Sequence, residues 1–119
     1  MPRSPLARLA DILDAVAQIR SLLAGKSLEH LQQDRVSTAA FERFLEIISE
    51  ATRHIPGKLK ERRPEIPWRR IADLGNWLRH VYDSVDGPLL WAIYTDDLDP
   101  LENAIRYMIE VIESTDRGA

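Results

Sequence analysis

The chain contains no cysteine, which excludes both a disulfide framework and a thiolate metal site. It lacks an uninterrupted apolar run of about eighteen residues, the length that a membrane span requires. No segment alternates apolar and polar residues between turn signals, so we expect no β-sheet. Repeats, low-complexity tracts and a glycine-rich phosphate loop are absent too. We therefore expect an all-α protein without a membrane span, and the missing thiols fit a reducing cytoplasm.

With 119 residues, the chain is long enough for one domain, which we place at residues 1–119. Its net charge of −3 means that the field of the whole molecule does not attract nucleic acid. Contact with RNA would need a local basic patch, and one candidate consists of Arg53, Lys58, Lys60, Arg62, Arg63, Arg69 and Arg70. The other interpretation of this patch is a solvated helix end and loop.

Apolar spacing of three and four residues predicts two long helices in the first half of the chain. The first spans about Ser4–Ala24 and ends at Gly25, a residue type that tolerates the left-handed conformation after a helix. Ser27 can cap a short helix through about Gln32. The next long helix is expected from about Val36 to Lys60, although Pro56 and Gly57 would either kink it or make its last part a separate turn.

Prolines mark the helix starts in the second half. Pro67 suits the first position of one helix, and Pro88 that of a short helix around Leu89–Tyr94. The last helix is expected to begin with Asp99 as its N-cap, Pro100 at its first position and Glu102 as its capping-box glutamate. The tail Thr115–Ala119 is expected to be frayed. The pattern predicts an up-and-down four-helix bundle with short additional helices.

The helix after Pro67 gathers most of the polar groups capable of chemistry. Its polar residues share one stripe about 80° wide on a helical wheel: Arg69, Asp73, Asn76, His80 and Asp83. Its apolar residues lie on the opposite side: Ile71, Leu74, Leu78, Val81 and Val85. By spacing alone, the stripe is either a solvated face or a functional site.

The sequence of this segment resembles the motif of a known family. Pro-Glu-Ile-Pro-Trp-Arg at 64–69, followed by Asn76-x-Leu-x-His80-x-Tyr82, resembles the HepT-like toxins of the HEPN superfamily, whose motif is Arg-Asn-x-Leu-x-His-x-Tyr. Upstream, residues 41–51 resemble that family's long helix, which ends in an Ile-Gly-Glu-Ala-like word, and residues 97–101 extend the resemblance downstream. One departure stands out, because Gly75 occupies the position of the motif arginine.

The resemblance implies an HEPN-like bundle that acts as a cytoplasmic toxin. It implies a metal-independent endoribonuclease, without cofactor, whose cleft forms between the motif helices of two protomers of a homodimer. The expected partner is a nucleotidyltransferase antitoxin of the MNT type, which would adenylylate Tyr82. The alternative is a catalytically inactive HEPN-like bundle that binds a nucleotidyltransferase or serves as a dimeric scaffold.

Cleavage of RNA without a metal needs a base, an acid and positive charge at the phosphate. His80 is the candidate for proton transfer, and Asn76 one turn earlier can orient its ring or a phosphate. Arg79 lies about 40° from Gly75 on the wheel, so it either supplies the missing charge or is simply exposed. Glu50 and Asp73 are supporting candidates, with solvated carboxylates as the alternative.

Because Gly75 supplies no charge, we also expect an arginine restored at position 75 to raise activity. We expect no resident metal at these residues.

Overall fold

The computed structural model describes residues 4–80 and 87–118, and these are helical apart from short connections. The helices are α1 (Pro5–Leu23), α2 (Leu28–Gln33), α3 (Arg35–Arg53), α4 (Gly57–Lys60), α5 (Trp68–His80), α6 (Gly87–Ala92) and α7 (Leu98–Gly118), with a π-helical segment (Ile93–Asp97) between α6 and α7. Neither described range contains a strand. The predicted all-α class is confirmed.

Side-chain caps define the first two helices as their sequence predicts. The Ser4 hydroxyl accepts a hydrogen bond from the Ala7 N–H at 3.2 Å, and the Ser27 hydroxyl accepts one from the His30 N–H at 3.1 Å. Gly25 has a φ of 73°, the left-handed value expected of a glycine just after a helix. These contacts fix where α1 begins and ends.

The four long helices pack into the predicted bundle. α1 lies between α3 and α7, and α3 lies between α1 and α5. Their facing sides supply a common core that includes Leu9, Ile12, Phe41, Ile105 and Met108, each fully buried. Since α5 packs mainly against α3, one side of α5 is left for a groove described below.

α3 is shorter than its apolar pattern predicts. It ends at Arg53, not at Lys60, and the His54 N–H closes its last turn on the Ala51 carbonyl at 3.1 Å. Pro56 cannot donate to a continuing helix, and its ring clashes with the preceding turn, so α4 forms as a separate turn. The separate turn was one of the two expected outcomes.

The start of α7 differs from its prediction. Asp99 is not an N-cap, because α6, the π-helical segment and α7 follow one another without a break. Asp99 and Glu102 instead form ion pairs with Arg20 of α1, which fastens α7 to α1. α6 begins two residues earlier than expected, and Pro67 precedes α5, where its carbonyl accepts from the Ile71 N–H at 3.1 Å.

The expected frayed tail is helical as far as Gly118, because α7 continues through it. The Thr115 hydroxyl donates to the Val111 carbonyl at 2.9 Å within this last part. The prediction of a frayed end is wrong up to that residue, and Ala119 lies outside the described residues.

Candidate functional site

α5 has the polar and apolar faces that its sequence predicts. Leu78 is buried and Leu74 is half-buried, whereas Asp73 and Asn76 are exposed. Val81, Tyr82, Asp83 and Val85 lie outside the described residues, as does the side chain of His80. For His80, the structure gives only the backbone position, at the last residue of α5.

Gly75 lies at the contact between α5 and α3. The buried Ser49 hydroxyl accepts a hydrogen bond from the Gly75 N–H at 2.9 Å and donates one to the Ala72 carbonyl at 2.9 Å. A Cβ atom at position 75 would lie 2.9 Å from Ser49 Oγ and 3.2 Å from Ser49 Cβ, closer than packed atoms tolerate. Glycine therefore permits this approach of the two helices.

The two departures from the resembled words touch each other. By the resemblance described above, Ser49 takes the place of the glycine in the Ile-Gly-Glu-Ala-like sequence, and Gly75 takes the place of the motif arginine. The hydroxymethyl group of Ser49 fills the space beside residue 75. An arginine restored at position 75 would therefore meet Ser49, and the expected gain in activity stays a prediction that requires Ser49 to move.

A cleft of about 370 Å³ opens between α1, α3 and α5. Six charged residues line it: Arg8 and Asp11 of α1, Arg43, Glu46 and Glu50 of α3, and Arg79 of α5. Arg79 Nη1 lies 3.6 Å from the position that a Gly75 Cβ would take, so the guanidinium lies beside the glycine as the helical wheel predicts. It forms no ion pair with any residue in 4–80 or 87–118.

Partners on α3 and at its C-cap hold the two glutamates of this cleft. Glu46 lies 3.6 Å from Arg43 Nη1. Glu50 lies 3.1 Å from His54 Nε2 and 3.9 Å from Arg53 Nη1. The hydrogen bond with His54, together with the positive charges of Arg53 and Arg8, lowers the pKa of the Glu50 carboxyl, which keeps it anionic at neutral pH.

The structure thus groups some of the site candidates and separates others. Glu50 and Arg79 line one cleft, and His80 follows Arg79 directly in the chain. Asn76 is exposed and lies one turn before His80. Asp73 lines a different groove. Asp73 does not line the cleft of Glu50 and Arg79, and its supporting role stays a prediction.

That groove is large and mostly apolar, with a volume of about 810 Å³. α5 supplies one wall with Leu74 and Trp77, and α6 and the π-helical segment supply another with Leu89 and Ile93. Leu89 is 45% exposed, which is high for a large apolar side chain. The sequence did not predict this groove, because the packing of α5 against α3 rather than α7 creates it.

The basic patch is partly engaged within the molecule. Arg62 Nη1 donates to the Tyr107 hydroxyl at 3.3 Å, and the Arg63 guanidinium lies 5.3 Å from the centre of the Tyr107 ring. Arg63 also pairs with Glu65 at 2.8 Å. These contacts fix the loop before α5 against α7.

Among the side chains that the structure describes, no three histidines or carboxylates are grouped closely enough to hold a metal ion. No helix in the described ranges is long and apolar enough to cross a membrane.

Comparison with known proteins gives consistent results. The model of the family described as "Ribonuclease HepT-like" matches residues 12–108. The chain is 36% identical over 102 residues to "Probable ribonuclease HepT" of Thermococcus cleftensis, covering 86% of this chain and 93% of the relative. It is 30% identical over 108 residues to "Putative RNase TTE0752" of Caldanaerobacter subterraneus subsp. tengcongensis, covering 91% of this chain and 96% of the relative. No solved structure matches the chain significantly.

Proposed function

Because this chain belongs to the HepT-like ribonuclease family, we propose that it is the toxin of a toxin–antitoxin pair and cleaves RNA without a metal ion. One observation carries this proposal despite the glycine at position 75. The Arg79 guanidinium lies beside Gly75, at the mouth of a cleft next to His80, without an ion-pair partner in the described ranges. A cation is thus available one helical turn from the motif position.

In this mechanism His80 and Arg79 divide the work. His80 removes the proton from the 2′-hydroxyl of the RNA, and the same residue type from a second protomer can protonate the leaving 5′-oxygen. The 2′-oxygen then attacks phosphorus, which gives a 2′,3′-cyclic phosphate and a free 5′-hydroxyl. Arg79 stabilises the negative charge that builds up on the phosphate oxygens during this step.

Asn76 and Glu50 have supporting roles, Asn76 beside His80 and Glu50 beside Arg79. Asn76 is exposed one turn before His80, where its amide can orient the imidazole or the substrate. Glu50 lines the Arg79 cleft and stays anionic, so it favours a guanidinium there. Neither residue transfers a proton.

We further propose a homodimer, so that the motif helices of two protomers build one composite site. The groove that includes Trp77 supports a partner surface on α5, because it leaves apolar side chains next to solvent. A nucleotidyltransferase of the MNT type is the proposed antitoxin, with Tyr82 as the adenylylation acceptor. A nucleotide added two residues after His80 would place negative charge where the RNA phosphate must bind.

The experiment measures RNA cleavage by the purified protein in the presence of a chelating agent that removes free metal ions. The native protein is expected to cleave a single-stranded RNA and to leave intact the same oligonucleotide with 2′-deoxyribose throughout. His80→Ala should abolish the activity and leave the helical circular dichroism unchanged. A native protein that needs added metal, or that cuts the deoxy oligonucleotide equally, would contradict the mechanism.

The glycine at position 75 also favours a second candidate function, a catalytically inactive bundle that binds the nucleotidyltransferase or acts as a dimeric scaffold. The same protein preparation tests this second function. If it cuts no RNA but binds the nucleotidyltransferase tightly, the binding function replaces the ribonuclease.

A further inference from the structure

The cleft beside Arg79 contains a second arginine that helical periodicity does not single out. Arg8 comes from the opposite wall, in the early part of α1. Its Nε atom is buried and has no hydrogen-bond partner. A donor removed from water without an acceptor is energetically costly, so this atom marks a place where a bound group can supply an acceptor.

The charges around this cleft leave two guanidinium groups available. Arg43 is paired with Glu46 at 3.6 Å. Glu50 has its nearest partners at the end of α3, 3.1 Å from the C-cap residue His54 and 3.9 Å from Arg53. Asp11 adds a third carboxylate on the α1 side. Within residues 4–80 and 87–118, neither Arg8 nor Arg79 forms an ion pair or a side-chain hydrogen bond.

Guanidinium groups that approach from two helices suit a tetrahedral oxyanion, because each offers parallel N–H donors to two of its oxygens. The cleft volume of about 370 Å³ accommodates a phosphate with part of a nucleotide. We propose that Arg8 and Arg79 together bind one backbone phosphate of the RNA, with Arg8 holding it from α1. This inference rests on the proposed function, and it assigns Arg8 to substrate binding.

The test measures binding rather than cleavage. The probe is a single-stranded RNA in which every ribose carries a 2′-O-methyl group, so that no 2′-hydroxyl is available for attack. Fluorescence anisotropy would follow its dissociation constant from about 50 to 200 mM salt for the native protein and for Arg8→Gln. Arg35→Gln is the matched control, because Arg35 is exposed at the start of α3, lies outside the basic patch and does not line the cleft.

Arg8→Gln is expected to weaken binding about tenfold and to reduce the slope of log K against log salt by about 0.7, the value for one lost contact with a single-stranded phosphate. Arg8→Lys should keep the slope and recover part of the affinity, because lysine retains the charge without the paired donors. Arg35→Gln should leave both quantities near the native values. Inorganic phosphate at millimolar concentration should compete with the RNA in the native protein and less in Arg8→Gln.

A slope and affinity for Arg8→Gln equal to those of Arg35→Gln would overturn the inference. If Arg8→Gln lowers the melting temperature, RNA binding by the folded Arg8→Lys protein becomes the test of the charge contact. A complete loss of binding in Arg8→Lys would contradict that contact. Because the probe cannot be cleaved, the result separates the two proposals. Arg8-dependent binding without any cleavage of ordinary RNA would overturn the ribonuclease function and keep the phosphate site.

Discussion

The contact between Ser49 and Gly75 makes the size of residue 75 a determinant of stability. Adding a methyl group in Gly75→Ala would place Cβ 2.9 Å from Ser49 Oγ. Overpacking of this kind costs about 1–3 kcal/mol, which over most of that range is larger than the gain of about 1 kcal/mol from replacing glycine in a helix. We expect a net loss of stability in urea denaturation.

Gly57→Ala is the control, because nothing lies within 4 Å of a Cβ built there. That variant should be as stable as the native protein or more stable by about 0.4–1 kcal/mol. Adding Ser49→Gly to Gly75→Ala should cost less than the sum of the two single changes, since the double variant has no clash left. Equal stability of Gly75→Ala and Gly57→Ala would refute the contact.

At the scale of single residues, the sequence predicted only contacts along one helix. The position of Arg79 beside Gly75 follows from a helical wheel, because the two residues are one turn apart on α5. Ser49 could not be assigned to a contact with Gly75, since it lies 26 residues earlier in the chain and the contact depends on the register in which α3 packs against α5. Arg8 was missed for the same reason, because it comes from a third helix.

At the scale of helices, Arg20 is the main polar link between α1 and α7. It forms ion pairs with Asp99 and Glu102, and Glu102 also accepts from Arg106 Nε at 2.8 Å. We expect Arg20→Ala to destabilise the protein by about 1 kcal/mol in thermal denaturation at pH 7. Arg106→Ala, which removes a pair within α7 alone, should cost about 0.3–0.5 kcal/mol.

This link also predicts a dependence of stability on pH. The hydrogen bonds from Arg20 and Arg106 lower the pKa of the Glu102 carboxyl below its ordinary value of 4.5. The contribution is therefore complete above the unfolded pKa and is lost as the pH falls through the lower folded pKa. Glu102→Gln should lower stability at pH 7 and bring the variant closer to the native protein at pH 3. An equal difference at both pH values would contradict the link.

Helix types were predictable and several helix ends were not. The three- and four-residue spacing located all four long helices, because burial of one face enforces that period. The end of α3 depended on whether Pro56 kinks or stops a helix, which the pattern left open. The start of α7 was missed because the π-helical segment connects α6 directly to it, so Asp99 was free to bind Arg20 instead of capping.

For the whole molecule, the bundle predicts a partner on the open side of α5. The groove with Trp77 and Leu89 leaves apolar surface beside solvent, so we expect a homodimer. Light scattering at micromolar concentration should report twice the chain mass of 13.6 kDa. Leu89→Ser should shift the protein toward the monomer, whereas Val36→Ser, at an apolar residue 80% exposed on α3, should not. A strictly monomeric native protein would rule out a composite site.

The bundle, the family and the place of Arg79 beside Gly75 were predictable from the chain, but the cleft that Arg79 shares with α1 and α3 was not. The central claim is that Arg79 supplies the charge at the cleaved phosphate. Its most direct test is the single-turnover rate of RNA cleavage in the presence of a chelating agent for the native protein, Arg79→Ala and Arg35→Ala. Arg79 should contribute about 2.7–4 kcal/mol to stabilisation of the transition state, so its variant should be about a hundred- to a thousandfold slower, while Arg35→Ala, at an exposed residue outside the cleft, remains near the native rate. Equal rates for Arg79→Ala and Arg35→Ala would show that Arg79 does not supply the charge at the cleaved phosphate.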